Sequence, residues 1–217
     1  MNQLVFVQSQ SMNEMPFTTS DTIAEYAGIK HHSIQQMIAK HETSLKSFGL
    51  VAFEMRAVKK SRGVKYEKLY HLNEQQATLL ITFLQNTEQV IRFKTELVRQ
   101  FYQMRTQLQA RQIAKADRKA PHRSLTDAIQ SDPNHSKWDY KLYMDLVYKT
   151  VLGKTASKIR KERGAEKNAA ASDYMATEEI KAIARLEDQV AALIDLGMDY
   201  QQIKNLLLNK QAMKNIA

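Results

Sequence analysis

Residues 18–48 contain two short helical segments that meet at Gly28, and this pair limits the possible folds of the chain. Ser20 or Asp21 can cap the first segment, because a short side-chain oxygen accepts a hydrogen bond from a backbone N–H that has no partner in the first turn. Gly28 can end it, because glycine readily adopts the left-handed conformation of a tight helix exit. These signals predict two short helices joined by a turn.

The second of these helices is amphipathic. Ile34, Met37 and Ile38 are spaced by three and four residues, which turns one apolar face inward. Two helices joined by a glycine-containing turn are typical of a helix-turn-helix, whose second helix can lie in a DNA major groove. The residues expected on its outer face, as contacts for DNA or a partner, are Lys30, His31, His32, Ser33, Gln35, Gln36 and Lys40. The alternative is an αα-hairpin that packs on a core and contacts no nucleic acid.

A β-hairpin is predicted directly after the helix pair. Val51, Phe53 and Met55 alternate with Ala, Glu and Arg, which is the period of a half-buried strand, and residues 64–72 form a second β-prone run. Two strands with a basic turn in this position indicate the wing of a winged helix. A basic wing tip suits phosphate contact, although a solvated hairpin tip would have the same composition. The candidate contacts at the tip are Lys59, Lys60 and Arg62.

A long helix is predicted from residue 88 to about residue 115, after a helix that begins at a capping box of Asn73 and Gln76. Apolar residues recur along the long helix at spacings of three and four, as in the seam of a coiled coil. We expect this stripe to be exposed in a monomer and to pair with a second copy; the alternative is that it packs on its own domain. The predicted oligomerisation residues are Val90, Leu97, Phe101, Met104 and Leu108.

The composition changes after this helix. Two prolines and many small polar residues at 117–137 predict a linker, and the helical periodicity that follows predicts a separate all-helical domain at 138–217. The core expected for that domain is anchored by Trp138, Leu142, Ile183 and Val190. The predicted fold is therefore an α+β winged-helix-like domain at 1–73, a helical arm at 74–116, the linker, and an all-α C-terminal domain.

Charge and composition limit the possible functions. The net charge of +9 and the pI near 9.6 favour an anionic partner, which nucleic acid or an acidic protein surface would provide. The chain has no cysteine, and its six histidines lack metal-ligand spacing, so we expect no cofactor, metal site or catalytic residue. No signal peptide is recognisable, and no apolar stretch approaches the roughly 20 residues of a membrane span, which predicts a soluble cytoplasmic protein without a membrane partner.

Four segments resemble the Rha family of phage regulatory proteins. They are residues 16–38 (PFTTSDTIAEYAGIKHHSIQQMI), 48–56 (FGLVAFEMR), 70–86 (YHLNEQQATLLITFLQN) and 93–105 (FKTELVRQFYQMR), and together they cover roughly residues 1–110. The resemblance implies a winged-helix-like protein of temperate phages in the bacterial cytoplasm. Members are often classed with antirepressors, which bind and disable the resident repressor. The C-terminal half is loosely similar to helical modules appended to prophage antirepressors.

Two functions are therefore expected. The first is an antirepressor that forms a homo-oligomer, either a dimer or a tetramer, and binds a phage repressor. The second is a winged-helix transcriptional regulator that binds operator DNA. Residues 18–48 carry no net charge and no arginine, the usual bidentate reader of guanine, which favours the first function. We expect the C-terminal domain to contribute to repressor binding; the alternative is that the winged module binds it.

Overall fold

The computed structural model describes residues 3–60, 63–133, 135–166 and 168–214 and divides into two compact units. The first unit comprises the described residues up to Gln8 together with Glu14–Thr106. The second comprises Ser9–Asn13 and the described residues from Gln107 onward. The division falls within a long helix, so the predicted boundary near residue 117 lies about three turns too far along the chain.

The first unit combines a small antiparallel sheet with helices, which confirms the α+β class predicted for this half. Its elements are β1 (Phe17–Thr19), α1 (Ser20–Ala27), α2 (His31–Lys40), α3 (Glu42–Lys46), β2 (Ala52–Lys60), β3 (Gly63–Asn73), α4 (Glu74–Thr82) and the first part of α5 (Glu88–Asp117). The strand order is β1-β3-β2, so β2 and β3 form the predicted hairpin and β1 pairs with the end of β3.

Local signals place the helix ends close to the predicted positions. Thr19, one residue before the expected cap, accepts a hydrogen bond from the backbone N–H of Thr22 and begins α1. Gly28 ends that helix at a φ of +68°, as expected for a left-handed exit. Asn73 and Gln76 form the predicted capping box at the start of α4, with each side chain accepting from the backbone N–H of the other.

The core of the first unit corrects the predicted role of the stripe on α5. Val90, Leu97 and Phe101 are at most 3% exposed and belong to this core, and Met104 packs against it. Leu108, which belongs to the second unit, is also buried. The prediction of an exposed seam at these residues was wrong, because spacings of three and four are shared by a coiled-coil seam and by a helix that packs on its own domain.

The same core contains α4, so residues 74–106 are not a separate arm. Ala77, Leu80 and Ile81 of α4 are buried in the same core as Ile34 and Ile38, which face inward from α2 as predicted. The α5 stripe is also part of this core. The predicted domain at 1–73 therefore needs α4 and the first half of α5 to complete it.

The second unit is helical throughout its regular elements in the described residues, as predicted. After the second part of α5 come α6 (Lys119–Ser131), α7 (Asp139–Leu152), α8 (Ala156–Glu162), a 3₁₀ turn (Ala171–Tyr174), α9 (Thr177–Asp195) and α10 (Tyr200–Lys214). Helix α9 packs against both α6 and α7, and α10 packs on α7. Asp199 and Gln202 form the predicted capping box before α10.

The predicted linker at 117–137 is mostly helix α6, and this prediction was wrong. Leu125 and Ile129 of α6 are buried, so the segment contributes to the core of the second unit. Pro121, which suggested a break, lies in the first turn of α6. Proline is tolerated there because the N–H groups of a first turn have no partner within the helix.

The predicted core anchors of this unit are correct on α9 and wrong on α7. Ile183 and Val190 are fully buried, whereas Trp138 and Leu142 are largely exposed. The buried residues of α7 are instead Tyr143, Leu146, Val147 and Tyr148. Helix α7 therefore packs on α9 with a face rotated by about one residue from the predicted stripe.

A buried ion pair joins α6 and α9 inside the second unit. Arg118 donates from Nε to Oε2 of Glu187 at 2.8 Å and from Nη2 to Oε1 at 2.6 Å. Its third contact is with the hydroxyl oxygen of Tyr148 at 3.3 Å, and Nδ1 of His122 lies 3.2 Å from Oε1 of Glu187. Glu187 is fully buried, so these partners replace the water that its carboxylate loses.

Candidate partner or nucleic-acid interface

Helix α2 presents a line of exposed polar side chains. His32, Gln36 and Lys40 follow one another at intervals of four residues and are exposed, and Lys30 is exposed just before the helix begins. Residues four apart lie on one helical face. These four of the seven residues predicted on the outer face are available for a partner.

His31, in contrast, connects α2 to the rest of the module. Its Nε2 lies 2.8 Å from Oγ of Ser20, which also accepts a hydrogen bond from the backbone N–H of Tyr70 at 3.1 Å. Its Nδ1 lies 3.9 Å from the carboxylate of Glu67. The imidazole therefore links α1, α2 and β3, and we assign it a positioning role.

Gln35 makes a second link between α2 and the hairpin. Its side-chain N–H donates to the backbone carbonyl of Lys68 at 2.8 Å, so its amide donor is used within the unit. Ser33 is half-buried. The links from His31 and Gln35 hold α2 beside the part of β3 that extends beyond its pairing with β1.

The hairpin is also anchored to α1 through an ion pair between Arg56 and Asp21. Burial disfavours the charged form of Asp21, but hydrogen bonds from Thr19 and Arg56 outweigh burial and lower the pKa of this carboxyl. Asp21 is therefore ionised at neutral pH. Its ion pair with Arg56 fixes the middle of β2 relative to α1.

One face of the hairpin is apolar and exposed, which sequence reasoning did not predict. Phe53 and Met55 of β2 share this face with Val64 and Tyr66 of β3, and each of the four is about half exposed or more. Residues directly opposite each other in an antiparallel pair share a face of the sheet. Tyr66 lies opposite Ala57, which is two residues from Met55 and therefore on the same face as Met55. The strands were predicted to be half-buried, but these four apolar side chains are exposed.

Positive charge lies both on this apolar face and on the other side of the hairpin. Lys68 is directly opposite Met55, and its Nζ lies 4.4 Å from the ring centre of Phe53. Lys65 is exposed on the other face of β3. Residues 50–73 contain six Lys or Arg against two Glu, a net charge of +4. Lys59, Lys60 and Arg62 supply half of the six, but the side chains of the two lysines and all of Arg62 lie outside the described residues.

Two other kinds of site were sought in the structure. Among the described residues, no group of three or more His, Asp or Glu side chains could hold a metal ion. In the part of the chain that the structure describes, no helix is both long and apolar enough to cross a membrane.

A comparison with known protein families finds a match within the first unit. Residues 18–106 match the family model described as phage regulatory protein Rha. This segment belongs to the Rha family. The Rha segment begins in β1 and ends at the last residue of the first unit, so it contains α2, the hairpin and the buried face of α5. No curated protein matches the chain.

The sequence contains some signals for the features that were missed. The exposed apolar face follows the two-residue period of β2, but periodicity identifies a face without saying whether another element covers it. The inward orientation of His31 depends on Ser20 and Tyr70, which are distant in sequence. Only the fold brings these residues together.

Proposed function

We propose that this phage regulatory protein acts as an antirepressor in the bacterial host, and that its Rha segment binds the repressor protein. The order of β1, α1, α2, β2 and β3 supports a winged-helix-like module in which the hairpin is the wing. The proposed activity is binding, and it needs no cofactor or catalytic residue. Binding would remove the repressor from its operator or hold it in an inactive form.

The observation that carries this proposal is the exposed apolar face of Phe53, Met55, Val64 and Tyr66 on the hairpin. Contiguous apolar surface of this kind marks interaction sites, because it gains free energy when a partner excludes water from it. A phosphate backbone would leave these side chains in contact with water. The net charge of +4 that residues 50–73 carry favours a protein partner with an acidic surface.

Binding to operator DNA is the second candidate function, and a separate observation supports it. His32, Gln36 and Lys40 form an exposed polar line on α2, and the hairpin beside it is basic. A recognition helix and a basic wing can together contact base edges and phosphates. The absence of arginine from α2 weakens this candidate, since arginine is the commonest reader of guanine.

The test is calorimetric titration of the full chain with the purified repressor of the phage that encodes it. Replacing both Met55 and Tyr66 with Glu places two carboxylates on the apolar face, and we expect it to weaken repressor binding by at least about 100-fold. The matched control is Met15→Glu, because Met15 is 74% exposed and is not part of the hairpin. Equal binding by the hairpin variant and the control would contradict the proposed surface.

The same proteins distinguish the second candidate. If the wild type shows no heat with the repressor but binds duplex DNA with a strong salt dependence, the DNA-binding function replaces the first. The double Glu variant would then lose little affinity for DNA beyond the effect of its two added charges.

A further inference from the structure

Helix α5 carries a second apolar stripe, and this one is exposed. Ile91, Val98 and Tyr102 are 50%, 36% and 55% exposed, and Thr95 is exposed between them. The spacing from residue 91 to 102 is four, three and four, which is the period of a coiled-coil seam. This stripe is distinct from the buried one and lies on the solvent side of the same helix.

The order of side chains along this stripe allows it to pair with an antiparallel copy of itself. When two copies are laid antiparallel about a point between Thr95 and Val98, Ile91 faces Tyr102 of the other copy. Thr95 then faces Val98. The stripe continues to the acidic residue Glu88 at its N-terminal end and to the basic residue Arg105 at its C-terminal end.

We propose that residues 88–105 of α5 pair antiparallel with the same residues of a second copy of this chain, which makes the protein a homodimer. Glu88 of each copy then lies opposite Arg105 of the other at both ends of the interface. A parallel pair would place Glu88 against Glu88 and Arg105 against Arg105, and like charges across a seam destabilise it. Within one copy Glu88 is paired with Arg92, and Arg105 is paired with Glu74 of α4. The antiparallel direction brings an opposite charge to each of these pairs, whereas the parallel direction brings a like charge, so the charge pattern favours the antiparallel direction.

The surface beside the stripe can receive side chains of the second copy. A groove of about 510 Å³ lies between α4 and α5, and Leu79, Thr82, Val98 and Tyr102 contribute to its lining. In the proposed register, Ile91 of the second copy lies opposite Tyr102 at this groove. Each copy presents the same groove, so the contact is made twice, as a two-fold interface requires.

Two positive side chains flank the stripe and would approach each other in the pair. Arg92 and Arg99 each form an ion pair with a carboxylate of their own helix, Glu88 and Glu96 respectively. These intrahelical pairs reduce the repulsion between the flanking arginines. The antiparallel register is therefore compatible with the flanking charges.

The first test is sedimentation equilibrium of the full chain. We expect a dimer for the wild type and a monomer for Val98→Glu at the same concentration, with a dissociation constant raised by about 100-fold or more, because each copy would bury a carboxylate near the two-fold axis. The matched control is Gln103→Glu, which adds the same charge to α5 at an exposed position off the stripe. Circular dichroism of both variants verifies that α5 is still folded.

The second test measures the direction of pairing by disulfide cross-linking, for which the chain is suited because it has no cysteine. Ile91→Cys and Tyr102→Cys are prepared as separate proteins with different tags. We expect the mixed pair to cross-link and each variant alone not to, because residues 91 and 102 are about 16 Å apart along a helix. Cross-linking of each variant with itself would indicate parallel pairing and overturn the proposed register.

The remaining outcomes are equally decisive. A wild-type monomer at 100-fold above the protein concentration used for the binding assays would overturn the dimer. A dimer that Val98→Glu leaves intact would show that another surface joins the copies. The dimer does not depend on the proposed repressor binding, and either can fail without the other.

Discussion

The buried ion pair of the second unit gives the most quantitative prediction. Replacing Glu187 with Gln keeps the shape of the side chain but removes the negative charge that faces Arg118. Arg118 is only 9% exposed, so its guanidinium cannot recover water in the folded state. The substitution therefore leaves a buried positive charge without a counter-ion.

The cost follows from this geometry. Removing one partner of a buried pair costs about 3–5 kcal/mol, and we expect about 3 kcal/mol because Gln can still accept one hydrogen bond from Arg118. With a urea dependence of about 2 kcal/mol per molar, the unfolding midpoint should fall by about 1.5 M. The matched control is the double variant Arg118→Met with Glu187→Leu, which removes both charges and should stay within about 1–2 kcal/mol of the wild type.

The assay is urea unfolding followed by the fluorescence of Trp138, the only tryptophan of the chain, which reports on the second unit. A midpoint shift below about 0.3 M for Glu187→Gln would contradict the expected cost of about 3 kcal/mol. It would mean that the pair contributes little to the stability of this unit.

Acid should have a related effect on the wild type. Burial raises the pKa of Glu187, but hydrogen bonds from Arg118 and His122 outweigh it, so the pKa lies below the ordinary value of 4.5. The stabilisation that ionised Glu187 gives to the folded state is complete above pH 4.5 and is lost as the pH falls through the lowered pKa of Glu187. Glu187→Gln should remove this part of the acid dependence.

Three further predictions concern the first unit. Gln76→Leu should destabilise it by about 2 kcal/mol in urea unfolding followed by circular dichroism, because the two side-chain N–H groups of Gln76 share three backbone carbonyl acceptors in a buried position. Gly28→Ala should cost about 1–2 kcal/mol in the same assay, because Ala at a φ of +68° is strained and its Cβ would lie 2.9 Å from the side chain of Gln89. If the hairpin contacts DNA, replacing Lys59, Lys60 and Arg62 with Ala should reduce the salt dependence of duplex binding by about one unit of slope per lost contact. If the wild type binds no duplex at low salt, the hairpin charge has another role and the DNA-binding function fails.

Features determined by local interactions could be predicted from the sequence. The end of α1 at Gly28 depends on one residue, and the capping boxes at Asn73 and Asp199 each depend on two residues three positions apart. The inward face of α2 was also predicted, because Ile34 and Ile38 must be buried on one side of any such helix. These features do not depend on distant parts of the chain.

Features that depend on tertiary packing could not be predicted. The stripe at Leu97 and Phe101 has the same spacing as an intermolecular seam, and only the position of α4 and the helix pair shows that it is buried. Pro121 is typical of a break between helices, but a proline in a first turn is compatible with a helix. The family resemblance supplied the phage context, which no residue pattern in the chain could supply.

The most direct test of the proposed function is a competition measured on operator DNA. A fluorescent operator duplex is saturated with the purified repressor of the same phage, and the full chain is then added. We expect the fluorescence anisotropy to fall to the value of free DNA with the wild type and with Met15→Glu, but not when Met55 and Tyr66 are both Glu. An anisotropy that stays constant, or rises because the chain itself binds the duplex, would contradict the proposed antirepressor function.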